Sequence, residues 1–169
     1  MVICKQPQIG AAVPPHQDST FLYTDPPSAI GFWYALEDAT VENGCLGFLP
    51  GSHRWTAVEK RFVRLPGGGT GFRALKEGER KFSADAPHEE RDGEQKGVEE
   101  PGYTLGPVMA GDLVLIHGNL LHKSERNLSE RSRFIYTFHV VEGDGCTYDG
   151  ENWLQPTEEG FTNLYEEVG

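Results

Sequence analysis

A histidine and an aspartate separated by one residue, His16 and Asp18, could bind a metal ion together. On one strand, positions i and i+2 point to the same face, so an imidazole nitrogen and a carboxylate oxygen would converge. One further histidine from a distant strand would complete a two-histidine, one-carboxylate site, which holds Fe(II) and leaves positions open for a cosubstrate and O₂. This spacing also occurs by chance, and a polar strand end after two prolines is the alternative interpretation.

The third ligand is expected on a late strand that returns beside the first, where His117 and His122 are available. Arg133, eleven residues after His122, opens the strongest strand prediction in the chain. A buried arginine needs an anion, because an unpaired buried charge is costly. A dicarboxylate that chelates the metal at one end would supply a carboxylate to Arg133 at the other. An ion pair with one of the chain's own acids is the alternative, and Arg131 is a competing anchor.

The other three histidines are predicted to lie outside such a site. His53 ends a Pro-Gly-Ser-His turn, so we expect it to be structural. His139 alternates with apolar residues along a predicted strand, so we expect it in the core. His88 lies in an acidic segment, and we expect it to be solvated.

Short predicted strands separated by turns must position these side chains. Strands are predicted at residues 1–6, 16–23, 29–36, 45–49, 113–117 and 133–141. Many strands with little amphipathic helix are typical of an antiparallel sandwich or jelly roll, so the predicted fold class is mainly β. We expect one domain over residues 1–169, with a flexible insert or lid at about 66–107 and an irregular acidic tail at about 149–169.

Composition argues against several classes of function. Lys and Arg number 15 and Asp and Glu number 26, so the formal net charge is −11, which argues against nucleic-acid binding. No uninterrupted apolar run is long enough to cross a bilayer, and we expect no signal peptide. Three cysteines without metal-binding spacing predict reduced thiols in an intracellular, cytoplasmic protein.

Four segments together resemble a known family. They are Pro-His-Gln-Asp at residues 15–18, Glu-Asn-Gly-Cys-Leu-Gly-Phe-Leu-Pro-Gly-Ser-His at 42–53, Gly-Asp-Leu-Val-Leu-Ile-His at 111–117, and the segment 122–133. In their order and spacing the chain resembles the phytanoyl-CoA dioxygenase family of Fe(II)- and 2-oxoglutarate-dependent oxygenases, and the second segment is the most specific. The resemblance implies the double-stranded β-helix, or jelly roll, of those oxygenases.

The resemblance also assigns roles to single residues. It implies that His16, Asp18 and His122 bind Fe(II) and are catalytic, and that Arg133 binds the far carboxylate of 2-oxoglutarate. His117 is then the less favoured candidate for the third metal ligand, because it lies sixteen residues before Arg133. The further positions that match contacts of 2-oxoglutarate in relatives are Gln17, Trp33, Ser124 and Lys5. Trp33 suits the core equally well, and Ser124 suits a turn.

The implied reaction couples decarboxylation of 2-oxoglutarate, giving succinate and CO₂, with hydroxylation of a small-molecule or acyl substrate. It requires Fe(II), 2-oxoglutarate and O₂, and ascorbate is the expected reductant. The sequence names neither the substrate nor a protein partner.

The chain departs from the family pattern at its start. Relatives carry a substantial portion before the first metal ligand, whereas 15 residues precede His16 here. We therefore expect a jelly roll with its N-terminal part missing, and a catalytically impaired module that binds metal and 2-oxoglutarate is the alternative function. A cupin-like metal hydrolase or isomerase is a third hypothesis, against which the Arg133 spacing and the Asn-Gly pair at 43–44 argue.

Overall fold

The computed structural model describes residues 1–82 and 102–165, which form mostly short strands. The strands are β1 (Val2–Lys5), β2 (Val13–His16), β3 (Thr24–Asp25), β4 (Ile30–Ala35), β5 (Leu46–Phe48), β6 (Lys60–Arg64), β7 (Thr70–Ala74), β8 (Thr104–Gly106), β9 (Leu113–His117), β10 (His122–Ser124), β11 (Arg133–Val140) and β12 (Thr147–Tyr148). One helical turn, α1 (Ser52–Trp55), and two 3₁₀ turns, Asp18–Thr20 and Glu77–Glu79, complete the elements. Within these ranges no helix has the length and apolar character needed to cross a membrane.

Two four-stranded antiparallel sheets form the body of the protein. The first has the order β1–β11–β4–β9, and the second has the order β2–β10–β5–β8. Two smaller sheets pair β3 with β12 and β6 with β7. The mainly β, jelly-roll prediction is confirmed.

The core lies between the two large sheets, because strand residues alternate between their faces. Along β11, Arg133, Ile135 and Thr137 are buried. On the neighbouring β4, Ala35 lies opposite Ile135 and Trp33 lies opposite Thr137, and both are buried. Residues of both sheets and their connections share this hydrophobic cluster: Trp33, Ala35, Ala39, Cys45, Leu46, Ile116 and Ile135.

The structure differs from the strand predicted at residues 16–23. β2 ends at His16, and the carbonyl oxygen of Asp18 accepts hydrogen bonds from the amides of Phe21 at 2.9 Å and Leu22 at 3.0 Å. β2 itself begins at Val13, outside the strands predicted from the sequence. It is an edge strand, where prolines are tolerated because one side of the backbone needs no partner. His16 and Asp18 therefore meet at a strand–turn junction and not along one strand.

The predicted insert at 66–107 contains regular structure in the part that is described. β7 forms a hairpin with β6, a 3₁₀ turn follows at Glu77–Glu79, and β8 pairs with β5. Glycines at 67–69 make the hairpin turn with positive φ angles of 80–104°. The remaining residues of the insert, including His88, lie outside the described residues, and its role as a lid stays a prediction.

The first residues of the predicted tail are tied to the β6–β7 hairpin. Buried Arg61 pairs with Asp149 at 2.6 Å, and exposed Arg73 pairs with Glu151 at 2.8 Å. Asn152 is fully buried, and its side-chain amide donates to the carbonyl oxygen of Tyr23 at 2.8 Å. The acidic residues of this segment therefore attach it to the domain.

Gly118, between β9 and β10, holds the turn that carries Asp18. Its carbonyl oxygen accepts a hydrogen bond from the Ser19 amide at 2.9 Å, and its own amide donates to the Ala29 carbonyl oxygen at 2.7 Å. A β-carbon at Gly118 would lie 2.5 Å from Ser19 Oγ and 2.6 Å from the Ala29 carbonyl oxygen.

We predict that Gly118→Ala lowers the free energy of unfolding by about 1–3 kcal/mol, the usual cost of overpacking. Urea denaturation followed by circular dichroism would measure this loss. The control is Gly143→Ala, where the new methyl group meets nothing within 4 Å. Equal losses in the two variants would contradict the prediction.

Candidate metal centre and anion site

His16 and His122 face each other across adjacent strands. The pairing of β2 with β10 places them directly opposite, with ring centroids 4.2 Å apart. Nδ1 of His16 lies 2.9 Å from the Pro14 carbonyl oxygen, and Nδ1 of His122 lies 3.0 Å from that of Leu120. In the tautomers that these contacts select, each Nδ1–H donates to a carbonyl, and each Nε2 keeps its lone pair for a metal.

The Asp18 carboxylate completes the group. Its Oδ1 lies 3.6 Å from Nε2 of His16 and 3.7 Å from Nε2 of His122. The three ligand atoms lie within 4.8 Å of one another, and no other such group occurs in the described part of the chain. Two imidazoles and one carboxylate are the donor set of non-haem Fe(II) sites, although these donors alone do not select iron over other divalent ions.

The surroundings set the charges that metal binding requires. Burial alone raises the pKa of Asp18, but a hydrogen bond from His139 and the charges of the nearby imidazoles lower it overall, so this carboxyl is ionised. Burial lowers the pKa of His122 despite the opposing charge of Asp18, so this imidazole is neutral at neutral pH. An ionised carboxylate and a neutral imidazole are the ligand forms of these groups.

His139, predicted from the sequence to belong to the core, instead lies at the metal centre. Its Nε2 is 3.1 Å from Asp18 Oδ2, whereas the ion-pair distances from His16 and His122 are to Oδ1. Gly31 pairs with His139 on β4 and leaves room for this contact, because a β-carbon there would lie 3.1 Å from Asp18 Oδ2. Strand alternation could have predicted this position of His139. It lies six residues after Arg133 on one strand, so both side chains point to the same face of the sheet.

The structure separates His117 from the metal centre. Its ring lies 5.0 Å from that of His53, and its Nδ1 accepts a hydrogen bond from the Asn119 amide at 3.0 Å. Neither His53 nor His117 belongs to the group that could hold a metal, whereas His122 does.

Two buried cations, Lys5 and Arg133, lie side by side on β1 and β11, with 3% and 2% of their surfaces exposed. Arg133 Nη1 donates to the Gly44 carbonyl oxygen at 2.7 Å, but its Nε has no partner. Lys5 Nζ donates to the carbonyl oxygens of Ser124, at 3.3 Å, and of Glu125. Among the residues that the structure covers, no carboxylate lies within 4 Å of either cation.

This pair of cations fits an anionic ligand. Burial lowers the pKa of Lys5 to about 8, with the charge of Arg133 contributing, and burial lowers the pKa of Arg133 to about 10. Buried charges without a counter-ion cost free energy, and a carboxylate would offset that cost. The orphaned Arg133 Nε is therefore suited to the far carboxylate of 2-oxoglutarate.

Burial distinguishes Arg133 from the competing anchor Arg131. β11 begins at Arg133, so Arg131 lies on the preceding loop, where strand parity does not apply. The side chain of Arg131 is exposed. This difference favours Arg133 as the carboxylate anchor.

Trp33 and Ser124 lie near the cations, whereas Gln17 is engaged elsewhere. The Trp33 ring centre is 5.5 Å from Arg133 Cζ, and the ring also belongs to the core cluster. Ser124 is buried on β10, two residues after His122. Nε2 of Gln17 donates to the carbonyl oxygens of Thr56 at 3.2 Å and Asn119 at 2.8 Å. The contacts of Gln17, Trp33 and Ser124 with 2-oxoglutarate stay predictions.

The fold is the jelly roll found in non-heme, α-ketoglutarate-dependent enzymes of known structure. The non-heme α-ketoglutarate-dependent carbocyclase SnoK from nogalamycin biosynthesis superposes with a TM-score of 0.58 at 27% identity, covering 87% of this chain and 50% of SnoK. The α-ketoglutarate-dependent epimerase SnoN from the same biosynthesis gives a TM-score of 0.60 at 20% identity, covering 99% of this chain and 57% of SnoN. At that lower identity the likeness concerns the fold alone.

The phytanoyl-CoA dioxygenase (PhyH) family model matches residues 1–135, and the chain belongs to this family. Phytanoyl-CoA dioxygenase domain-containing protein 1 of Bos taurus is 48% identical over 170 residues, which cover 98% of this chain and 52% of that protein. Phytanoyl-CoA dioxygenase of Arabidopsis thaliana is 42% identical over 155 residues, which cover 92% of this chain and 47% of that protein. The chain thus spans about half the length of the curated relatives that it matches.

We predict that His139→Leu weakens metal binding about 10- to 100-fold, the usual loss when a ligand loses its supporting hydrogen bond. Without the Nε2 contact at 3.1 Å, Asp18 is free to turn away from the two histidine ligands. Calorimetric titration with Co(II) would measure the change. His53→Leu is the control, because it also removes an imidazole but lies outside the metal group. Unchanged affinity in His139→Leu would refute this role.

Lys5 should make the binding of 2-oxoglutarate depend on pH. Its pKa of about 8 means that raising the pH through 8 removes its charge, while Arg133 stays charged to about pH 10. We predict that the dissociation constant of 2-oxoglutarate with Mn(II) rises several-fold from pH 7 to pH 9. Calorimetry on Lys5→Met should show weaker binding at pH 7 and a flatter profile. An equally steep profile in this variant would rule out Lys5 as the titrating group.

Proposed function

We propose that this chain is an Fe(II)- and 2-oxoglutarate-dependent dioxygenase. It couples decarboxylation of 2-oxoglutarate to succinate and CO₂ with O₂-dependent hydroxylation of a small-molecule or acyl substrate, and ascorbate serves as the reductant. Membership of the phytanoyl-CoA dioxygenase family supports this general kind of reaction.

The observation that carries the proposal is the pairing of a metal group with an uncompensated cation pair inside one jelly roll. On β11, His139 adjoins the metal group and Arg133 begins the strand. Arg133 and His139 are six residues apart, which is about 20 Å along a strand. The long Arg133 side chain shortens this separation, because its guanidinium lies 5.5 Å from the ring of Trp33. Trp33 pairs with Thr137, which is two residues from His139. An extended dicarboxylate with a chelating end and a far carboxylate matches this arrangement.

The metal ligands and the neighbouring His139 have separate roles in this proposal. His16, Asp18 and His122 would hold Fe(II), which when bound supplies the activation of O₂ that oxidative decarboxylation and hydroxylation require. His139 holds the second oxygen of Asp18, so the carboxylate would offer its other oxygen to a metal ion.

Lys5 and Arg133 would bind the far carboxylate and so orient the cosubstrate. Trp33 covers the guanidinium and excludes water from the charge pair, which strengthens the electrostatic attraction.

The test measures succinate formed from 2-oxoglutarate in the presence of Fe(II) and ascorbate. We expect turnover in the unaltered chain and a loss of at least about 100-fold in Asp18→Ala, because the carboxylate ligand is removed. His117→Ala is the matched control, a strand-end histidine outside the metal group, and it should retain most of the activity.

Calorimetric binding of 2-oxoglutarate separates the remaining outcomes. Binding without succinate formation would support the alternative, a module that holds metal and 2-oxoglutarate without turnover. If 2-oxoglutarate neither binds nor reacts, the assignment of Arg133 and Lys5 as its anchor is wrong.

A further inference from the structure

A continuous set of aromatic rings begins beside the metal centre. Phe21 lies edge-on to His16, with ring centroids 6.1 Å apart. Phe62 and Phe72 lie 5.7 Å and 6.0 Å from Phe21 and 5.0 Å from each other. Trp153 adds a fourth ring, 6.0 Å from Phe62. We call Phe21, Phe62, Phe72 and Trp153 the aromatic wall.

The aromatic wall is open to solvent on one side. Phe72 is 57% exposed and Trp153 is 39% exposed, so these rings do not form a closed core. The side chain of His16, which the wall contacts, is 24% exposed, whereas that of His122 is 7% exposed. The wall therefore begins where the metal centre is more accessible, and contiguous exposed apolar surface of this kind marks ligand-binding grooves.

The β6–β7 hairpin adds two cations to the same face. Phe62 pairs with Phe72 across the hairpin, and strand alternation places Lys60 and Arg64 on the face of Phe62. Lys60 Nζ lies 4.8 Å from the Phe72 ring centre. Arg64 Nε donates to the Trp153 carbonyl oxygen at 3.0 Å.

These two cations have no carboxylate partner within 4 Å in the parts of the chain that the structure covers. The neighbouring acids are paired with other cations: Asp149 with Arg61 at 2.6 Å, Glu151 with Arg73 at 2.8 Å, and Glu59 with Arg80 at 3.6 Å. Because the whole chain has a net charge of −11, Lys60 and Arg64 stand out as local positive charge beside an apolar surface. That combination is complementary to a ligand with an apolar body and an anionic group.

We propose that the aromatic wall binds the substrate, and that the substrate has a flat aromatic body and an anionic group. The body would stack along Phe21, Phe62 and Phe72, and the anionic group would face Lys60 and Arg64. Stacked and edge-to-face contacts favour an aromatic body over a flexible chain. The assignment rests on the proposed function, since it takes the metal centre as the place of reaction; the end of the substrate beside Phe21 is then the end that is oxidised.

The test is a calorimetric titration of the complete chain with naphthalene-2-sulfonate, without metal or cosubstrate. A sulfonate is a weak metal ligand, so binding will not report on the metal centre. Naphthalene-2-sulfonamide has the same ring system without the charge. We expect the sulfonate to bind several-fold more tightly than the sulfonamide, because it also meets Lys60 and Arg64.

Two sets of variants separate the roles of the rings and the charges. Phe72→Ala should weaken binding of both probes about fivefold, through loss of a ring contact. The double change Lys60→Gln and Arg64→Gln should weaken binding of the sulfonate several-fold and leave the sulfonamide unaffected. Phe161→Ala is the matched control, since Phe161 is 41% exposed but its ring partner is Tyr148, at 4.9 Å.

Three results would overturn the assignment: no binding at millimolar sulfonate, equal losses in Phe72→Ala and Phe161→Ala, or, in a separate titration that contains 2-oxoglutarate, its displacement by the sulfonate. The last result would place the probe at Arg133. Because the titration contains no metal, its outcome is independent of succinate formation. Probe binding without succinate formation would count against the proposed function alone, and succinate formation without probe binding would count against the aromatic wall alone.

Discussion

The alternation of side chains along β11 is the constraint on which the arrangement of the site depends. A strand directs every second residue to the same face, so Arg133, Ile135, Thr137 and His139 all face the interior. One element therefore delivers a cation to one end of the jelly roll and an imidazole to the metal end. A shift of one residue in the pairing of β11 would reverse all four side chains at once.

The interior carries charges that the hydrophobic effect alone would exclude. At one end, the single carboxylate of Asp18 has three imidazoles within 3.1–3.7 Å as polar partners. At the other end, Lys5 and Arg133 donate to different backbone carbonyls, and no carboxylate of the described residues pairs with either of them. The chain thus sacrifices some stability at the cationic end, a pattern typical of binding sites because the ligand supplies the missing charge.

The sequence predicts the parts of the fold that local chemistry determines. Aromatic and β-branched residues at 133–141 favour a buried strand wherever it packs, and β11 occupies nearly all of that range. β2 is not predictable in this way, because Pro14 and Pro15 favour a loop until the pairing with β10 supplies partners. The place of His139 likewise depends on Gly31 of another strand, which no local pattern records. The difference in burial between Arg131 and Arg133 was not predictable from strand parity, because it depends on the residue at which β11 begins.

The two prolines of β2 have a consequence for the outer edge of the second sheet. Pro14 and Pro15 have no amide hydrogens, and successive amides of a strand point to opposite sides, so one of the two prolines removes a donor that a further strand would need. Proline also restricts the backbone before folding, so less conformational entropy is lost when His16 reaches its place opposite its partner. The same short segment thereby protects the rim of the site against strand addition and presents an imidazole in a prearranged position.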